Sequence, residues 1–366
     1  MEKLMLGVAV ALLILSGLAL TPGSSLAQAD RRRARDVVEG TVQITPLGSR
    51  TGDLCAWDVA LLFEDPTGVR ILYDPGLTVA GASDSRLGEV HAVLVSHHHS
   101  DHIGGLKLNQ DPNNPTADCR YNTLYSTLTF NTNAAEIAAG KNSAVIVPRA
   151  MDAFLRGKIG NIGGVSDCPL VGPDNEIVVP RSQPCTTRLA FGAQRMVTNG
   201  SSTGVRVAAV VAQHADEIQR YLLTEALANP LGENTLFAYS GLAIGYVLGF
   251  TNGLKVYLSG DTGPTSDMRT IVRGFYQANL AVVNIDGEAQ MGPEEAAFAV
   301  RELVKPAAVI PSHTHEVSTT SGQVNPGTRL ARFIELVDGI PVHVPLSGVT
   351  MAFDGRANCV AGCSSR

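Results

Sequence analysis

Residues 97–102 read His97-His98-His99-Ser100-Asp101-His102 and follow the apolar, β-branched run HAVLVS, which begins at His91 and predicts a buried strand. In an extended chain alternate side chains share a face, so His97, His99 and Asp101 can point the same way. His102 stands at the turn toward two glycines, where the chain can bend and bring a fourth ligand round. A buried cluster of imidazoles and a carboxylate is costly unless a cation compensates it, so this stretch predicts a metal site.

Three further apolar strands are predicted to end beside residues that bind metals. The run VRVAAVVAQ leads to His214, LKVYLSG leads to Asp261, and PAAVIPS leads to His313. Taken singly, each residue is more often a structural cap or a hydrogen-bonded core group. Together, the four strand ends predict two nitrogen-rich sites that share Asp261: one formed by His97, His99 and His214, the other by Asp101, His102 and His313. Imidazole and carboxylate ligands suit Zn²⁺ first, with Fe or Mn as alternatives.

Strands and helices alternate along the chain, which predicts an α/β fold. An earlier strand, VRILY, ends at Asp74, and the clearest helix covers 293–304, with proline at its first position and two glutamates in its first turn. Two stretches, at about 107–200 and 215–240, are too irregular to continue a simple sheet. We expect both to be insertions that shape the substrate pocket.

The string HHHSDH resembles the HxHxDH signature of the metallo-β-lactamase superfamily, and His214, Asp261 and His313 match its later metal-binding positions in order, within about 41–350. The resemblance implies an αβ/βα four-layer sandwich with the metals where strand ends meet. It also implies that Asp74 orients a ligand histidine through its free ring nitrogen. The motifs LYDPG, SGDTG, MGPEEA and IPSH are similar to the branch of L-ascorbate-6-phosphate lactonase. This chain has Thr314-His315 where that branch commonly has a tyrosine.

The expected activity is hydrolysis of an ester, lactone, amide or phosphodiester, and the resemblance implies a lactonase- or esterase-like enzyme. Two zinc ions about 3.5 Å apart can hold a water between them and lower its pKa, so the resulting hydroxide is the expected nucleophile. Asp101 is expected to ligate one metal and carry the water proton to the leaving group, and Asp261 to bridge the two metals. A bridging aspartate disfavours antibiotic hydrolysis, because true metallo-β-lactamases generally lack it.

Three alternatives stay open. Two of them are a mononuclear iron oxygenase and a thioester hydrolase of the same superfamily, which one iron per chain would favour. An exported metal-binding protein without turnover is the alternative from a different class.

The first 29 residues have the pattern of a secretory signal peptide: a 17-residue apolar run (4–20), a helix-breaking TPGSS, and the small-x-small site Ala27-Gln28-Ala29. An uncleaved membrane anchor is the alternative, although the run falls just short of a comfortable span. We expect residues 30–366 to form the hydrolase domain, periplasmic or secreted, without a stable membrane anchor.

The amino-acid composition and net charge indicate which class of binding partner to expect. The 366 residues are 45% hydrophobic and 17% charged, which is typical of a globular protein, and 28 basic against 34 acidic residues give a net charge of −6. Without a large basic excess, nucleic acid is a poor first partner, so a small-molecule substrate is expected. The oligomeric state is left open.

The six cysteines fit up to three disulfides in an oxidising compartment. We expect Cys168 to pair with Cys185 and Cys359 with Cys363, because each pair closes a short loop that contains glycine or proline. Several other residues are given no functional role and are interpreted as solvated or packed side chains: His91, His98, His315, Trp57, Tyr239 and Tyr246.

Overall fold

Two large β-sheets bring the site-bearing strand ends together. The structure, a computed structural model, describes residues 40–108, 117–120, 126–128, 131–214 and 241–364. In chain order, its strands are β1 (Val42–Pro46), β2 (Leu61–Glu64), β3 (Arg70–Tyr73), β4 (Ala92–Leu94), β5 (Leu106–Leu108), β6 (Ser126–Leu128), β7 (Ala144–Pro148), β8 (Ser166–Asp167), β9 (Glu176–Val178), β10 (Cys185–Leu189), β11 (Gln194–Thr198), β12 (Val205–Val211), β13 (Ile244–Gly249), β14 (Lys255–Leu258), β15 (Leu280–Asn284), β16 (Ala308–Ser312), β17 (Thr319–Thr320), β18 (Gln323–Val324), β19 (Met351–Phe353) and β20 (Cys359–Ala361).

The helices lie on the outer faces of these sheets. They are α1 (Ser100–Ile103), α2 (Asn133–Lys141), α3 (Asp152–Gly160), the π-helix α4 (Met268–Tyr276), α5 (Pro293–Phe298) and α6 (Arg329–Leu336). A 3₁₀ turn at Arg149–Met151 precedes α3, and a π-helical segment at Ala299–Val304 continues α5.

The first sheet has the strand order β20-β19-β1-β2-β3-β4-β7-β10-β8, and the second has the order β16-β15-β14-β13-β12-β11-β9. Within them, β3, β4, β7 and β10 run parallel, as do β14, β15 and β16. Two small two-stranded sheets, β5 with β6 and β17 with β18, are separate from the large sheets. Parallel strands place their carboxyl ends at one edge, and this edge carries the candidate site.

The core consists of three layers of buried side chains. The inner layer joins the facing surfaces of both sheets and includes Phe63 and Tyr246. A second layer packs the outer face of the first sheet against α2 and α3, and a third packs the outer face of the second sheet against α4, α5 and α6. This arrangement is the expected αβ/βα four-layer sandwich, because each sheet buries one face on the other sheet and one on helices.

The predicted strands are present as β3, β4, β12, β14 and β16, and the predicted helix over 293–304 is present as α5 and its π-helical continuation. Proline begins α5 as expected, and the carboxylate of Glu295 accepts a hydrogen bond from the backbone N–H of Gly292 at 3.2 Å. The two predicted disulfides are present, and Cys55 pairs with Cys119 as a third.

Two expectations need correction. The span 107–200 is not only an insertion, because β7 and β10 pair into the first sheet and β11 into the second. These strands have at most five residues and alternate with glycine- and proline-rich turns, so their periodicity is too short to recognise. The chain is also not extended through Asp101, because α1 begins at Ser100. The predicted insertion at 215–240 and the predicted signal peptide lie outside the described residues.

Among the residues that the structure describes, none of the helices combines the length and the apolar character needed to cross a membrane.

Candidate metal centre

The predicted ligands converge where four strand ends meet. His97 and His99 follow β4, His214 follows β12, Asp261 follows β14, and His313 follows β16. The helical turn α1 adds Asp101 and His102, which explains why these two residues face a different group of ligands from His97 and His99. All seven predicted ligands therefore lie in two adjoining clusters that share Asp261, although their roles as ligands stay predictions.

The first cluster is rich in imidazole. Nδ1 of His99 lies 2.9 Å from Nε2 of His97 and 3.1 Å from Nε2 of His214. Oδ2 of Asp261 lies 3.6 Å from Nε2 of His97 and 3.7 Å from Nε2 of His214. Three ring nitrogens and one carboxylate oxygen thus face a common point, which is the donor set of a tetrahedral zinc site.

The second cluster contains both aspartates. Nε2 of His313 lies 2.9 Å from Oδ2 of Asp101 and 3.4 Å from Oδ2 of Asp261. Nε2 of His102 lies 3.5 Å from Oδ2 of Asp101 and 3.2 Å from Oδ2 of Asp261. Asp261 therefore places one oxygen atom beside both clusters, as a bridging ligand requires.

Burial keeps the first cluster neutral. Removal from water lowers the pKa of the His99 ring to about 4 and holds the pKa of His97 well below its ordinary value, with further lowering from neighbouring imidazoles. Burial also lowers the pKa of His214. Neutral imidazole is the form that binds metal ions, so these three rings are available as ligands at neutral pH.

In the second cluster, protons on the histidine rings compensate the negative charge of the two aspartates. Burial alone would lower the pKa of His313, but Asp261 and Asp101 outweigh it and raise this pKa to about 10. The same carboxylates outweigh burial at His102 and raise its pKa well above the ordinary value. Burial would raise the pKa of both aspartates, yet the two imidazoles hold them low. A bound cation would displace these ring protons, so metal binding should release protons.

Asp74 lies behind the second cluster, where the resemblance implied it. Its Oδ2 atom lies 2.8 Å from Nδ1 of His102, and its carboxylate accepts hydrogen bonds from the backbone N–H and the hydroxyl of Ser96 at 2.8 and 2.7 Å. Nε2 of His102 is buried and has no hydrogen-bond partner among the described residues. A ring held through Nδ1 with its Nε2 directed at a cluster of donors is the arrangement of a metal-binding histidine.

Asp286 lies behind His313 in a similar way, and it is not among the residues predicted from the sequence. Its Oδ2 atom lies 2.9 Å from Nδ1 of His313 and 3.2 Å from Nδ1 of His315. Both histidines have a φ angle of +51°, in the left-handed region that non-glycine residues rarely adopt and that is often found at functional sites. Asp286 follows β15, so the strand-end pattern that found Asp261 could have found it.

The other aromatic and histidine residues divide into two groups. Tyr246 is a core residue, because its hydroxyl is buried and donates a hydrogen bond to the carbonyl oxygen of Val95 at 2.7 Å. His91 is structural, since its Nδ1 accepts the backbone N–H of Arg70 at 2.9 Å. Trp57, interpreted as core, instead lies beside the site, with its ring centroid 4.3 Å from that of His315. The buried ring of His98 contacts the rings of two predicted ligands, and Tyr239 lies outside the described residues.

These residues fit a pair of divalent cations. Four ring nitrogens lie within 3.2 to 3.7 Å of a single carboxylate oxygen, and one of them, Nε2 of His102, is buried and makes no hydrogen bond to the described residues. Buried donors in this number are stable only if protons or cations compensate the carboxylates. Nitrogen and oxygen donors favour zinc, iron or manganese over softer ions.

Comparison with known proteins agrees with this geometry. A family model described as the metallo-β-lactamase superfamily matches residues 59–129, which include the HHHSDH string. A UPF0173 metal-dependent hydrolase of Cupriavidus necator is 28% identical over 283 residues, covering 76% of this chain and 78% of that protein. A UPF0173 metal-dependent hydrolase of Cupriavidus metallidurans is 28% identical over 254 residues, covering 68% of this chain and 67% of that protein.

The metallo-hydrolase Igni18 from Ignicoccus hospitalis shares the fold, with a TM-score of 0.52 and 19% sequence identity over 86% of this chain and 99% of the other. The two-sheet fold, the matched family model and the similar proteins all indicate the same kind of domain. Residues 59–129 of the chain are thus similar to the metallo-β-lactamase superfamily, and about three quarters of the chain is similar to a UPF0173 metal-dependent hydrolase.

Proposed function

We propose that the chain is an exported hydrolase that uses two divalent cations, zinc in the first instance, to cleave an ester or lactone bond of a small molecule, with amides and phosphodiesters as further candidates. One observation carries the proposal. Oδ2 of Asp261 lies 3.2 Å from Nε2 of His102 in one cluster and 3.6 Å from Nε2 of His97 in the other, so a single carboxylate is placed to serve two cations.

Bound at this centre, the two cations would supply a nucleophile at neutral pH and polarise the bond under attack. His97, His99 and His214 would hold the first cation, and His102, His313 and Asp101 the second. Oδ2 of Asp101 lies 2.9 Å from Nε2 of His313, within the centre, so this carboxylate would be in reach of the attacking water and could accept its proton. The same oxygen can then return that proton to the leaving group.

Two carboxylates keep the ligand rings in place. Asp74 accepts a hydrogen bond from Nδ1 of His102, and Oδ2 of Asp286 lies 2.9 Å from Nδ1 of His313, so both rings present Nε2 to the centre. This arrangement requires no serine or cysteine nucleophile. The described cysteines are all paired in disulfides, and none lies among the ligands.

Export is supported by two independent features. The first 29 residues have the pattern of a signal peptide, and the structure contains three disulfides, which persist in oxidising compartments and are rare in the cytosol.

The test is acid release from a panel of lactones, esters, β-lactams and phosphodiesters by the zinc-loaded chain from Asp30, with the Asp261→Ala variant as the blank. Turnover of one bond class that the variant lacks would support the proposal and name the bond. A folded, zinc-loaded chain that cleaves none of them would contradict it and favour the iron enzyme or the metal-binding protein without turnover.

A further inference from the structure

A cavity of about 450 Å³ opens beside the candidate metal centre and is lined by Trp57, Arg120, Glu288, His315 and Glu316, among others. The ring centroid of His315 lies 4.3 Å from that of His313, a predicted ligand, so the cavity adjoins the site where the bond would be cleaved. Its volume is within the range of small-molecule sites, about 300 to 1,000 Å³. The cavity is therefore placed to hold the part of a substrate that extends beyond the scissile bond.

The acidic side chains of this cavity already have partners. Glu288 lies 3.3 Å from Nδ1 of His315 and 3.5 Å from the guanidinium of Arg329. Glu316 accepts a hydrogen bond from the backbone N–H of Leu330 at 3.3 Å. Among the described residues, the guanidinium of Arg120 has no carboxylate within ion-pair distance. Among the described lining residues, Arg120 is therefore the arginine that can offer its guanidinium to an anionic ligand.

Arg120 is far from the other cavity residues in sequence, and a disulfide brings it to them. Cys119, its neighbour, is bonded to Cys55, 64 positions away. The carbonyl oxygen of Cys119 also accepts the backbone N–H of Ala56 at 3.2 Å. The disulfide thus fixes Arg120 next to the loop that carries Trp57.

We propose that this cavity binds a carboxylate group of the substrate, with Arg120 as the partner of the carboxylate and Trp57 as a flat wall for an adjacent ring or methylene chain. The proposal rests on the hydrolase function proposed above and names its substrate class. Arginine suits this role because its planar fork of N–H donors matches a carboxylate with two parallel hydrogen bonds. The indole offers a large apolar face beside it.

Trp57 is the single tryptophan of the chain, so tryptophan fluorescence, excited selectively over the tyrosines, reports on the surroundings of Trp57. The experiment titrates the zinc-loaded chain with phenylacetate and, separately, with phenylacetamide, which has nearly the same shape and no charge. We expect saturable binding of phenylacetate and at least about tenfold weaker binding of phenylacetamide, the usual difference for a hydrogen bond to a charged group.

Variants separate Arg120 from the metals as the binding partner. Arg120→Ala should weaken phenylacetate binding by about tenfold and Arg120→Glu by more, while leaving phenylacetamide unchanged. Arg120 is exposed, so neither change disturbs the core, and Arg356→Ala is a matched control at another exposed arginine. The double variant Cys55→Ser/Cys119→Ser should also weaken phenylacetate binding, because Arg120 loses its tether. Cys359→Ser/Cys363→Ser should not.

Equal binding of the two compounds would overturn the proposal, as would unchanged phenylacetate affinity in Arg120→Ala, since the carboxylate would then be held by the metals. The readout needs no turnover, so it fails independently of the proposed function. If the chain hydrolyses a substrate but Arg120→Ala leaves phenylacetate binding unchanged, only the proposed substrate class is contradicted. If the chain binds phenylacetate through Arg120 but cleaves no substrate, only the proposed hydrolase function is contradicted.

Discussion

Oδ2 of Asp286 lies 2.9 Å from Nδ1 of His313. The opposite ring nitrogen, Nε2, lies 2.9 Å from Asp101, so the imidazole is held between a carboxylate inside the centre and one outside it. Because the outer carboxylate fixes both the orientation of the ring and its proton, it should contribute to metal affinity without contacting the metal.

Asp286→Asn should therefore weaken zinc binding by about 10- to 100-fold. Competition with a chromophoric chelator measures this affinity directly. Asp338→Asn, at an exposed position, is the matched control and should bind zinc like the unmodified chain. Unchanged affinity in Asp286→Asn would show that the ring needs no such support.

Tyr246 links the two sheets. Its hydroxyl lies 2.7 Å from the carbonyl oxygen of Val95 and 3.0 Å from that of Ile146. Val95 directly follows β4 and Ile146 lies in β7, both strands of the first sheet, whereas Tyr246 belongs to β13 of the second sheet. Tyr246→Phe leaves these buried carbonyl groups short of a donor and should lower the free energy of unfolding by about 1 to 2 kcal/mol. Urea unfolding measures this, with Tyr276→Phe as the half-buried control. Substrate turnover should be retained, because Tyr246 is a core residue.

The disulfides should differ in their contributions to stability. Cys55 and Cys119 are 64 positions apart, whereas Cys359 and Cys363 are 4 apart. Loop-closure entropy predicts a loss of about 4 kcal/mol when the first pair is replaced by serine and about 2 kcal/mol for the second. Unfolding free energies from urea titrations test this order. Equal losses would mean that native contacts, and not chain entropy, set the contribution.

A buried ion pair should make stability depend on pH. The guanidinium of Arg86 lies 2.7 Å from Oδ2 of Asp84 and also donates to the carbonyl oxygens of Gly48 and Thr78. Burial would raise the pKa of Asp84, but Arg86 outweighs it and lowers this pKa below its ordinary value. The pair therefore stabilises the fold above the unfolded pKa of about 3.9, and this contribution is lost as the pH falls through the lower, folded value.

Asp84→Asn should lower the free energy of unfolding at pH 7 by about 3 kcal/mol or more, because it leaves a buried arginine unpaired. The difference from the unmodified chain should shrink as the pH falls below about 4. Urea unfolding across this range is the measurement. Asp174→Asn, which removes the partly exposed partner of the exposed Arg206, should change little at any pH. A constant difference for Asp84→Asn would contradict the assigned pKa shift.

The sequence predicts much of this centre because its ligands follow a local rule: His214, Asp261 and His313 each come just after a buried apolar strand. Asp286 follows the same rule, because it comes just after β15. It was not predicted because β15 was not recognised as a strand in the sequence. The helical turn at Ser100 was also missed, since four residues are too few for a periodic pattern.

Other features have no local signal. Trp57 and Arg120 reach the cavity through a disulfide between distant cysteines, and residue spacing does not reveal which cysteines pair. The strands of 144–198 are short and separated by turns, so their membership of the sheets depends on neighbours that are distant in sequence.

The most direct test of the dinuclear centre is a metal count per folded chain, by mass spectrometry of protein loaded with zinc and freed of excess. We expect two zinc ions in the unmodified chain and fewer in Asp261→Ala, with weakened binding at both clusters, because the Asp261 carboxylate adjoins both. A single ion in the unmodified chain, or two ions that Asp261→Ala retains with full affinity, would contradict the shared carboxylate on which the proposed function rests.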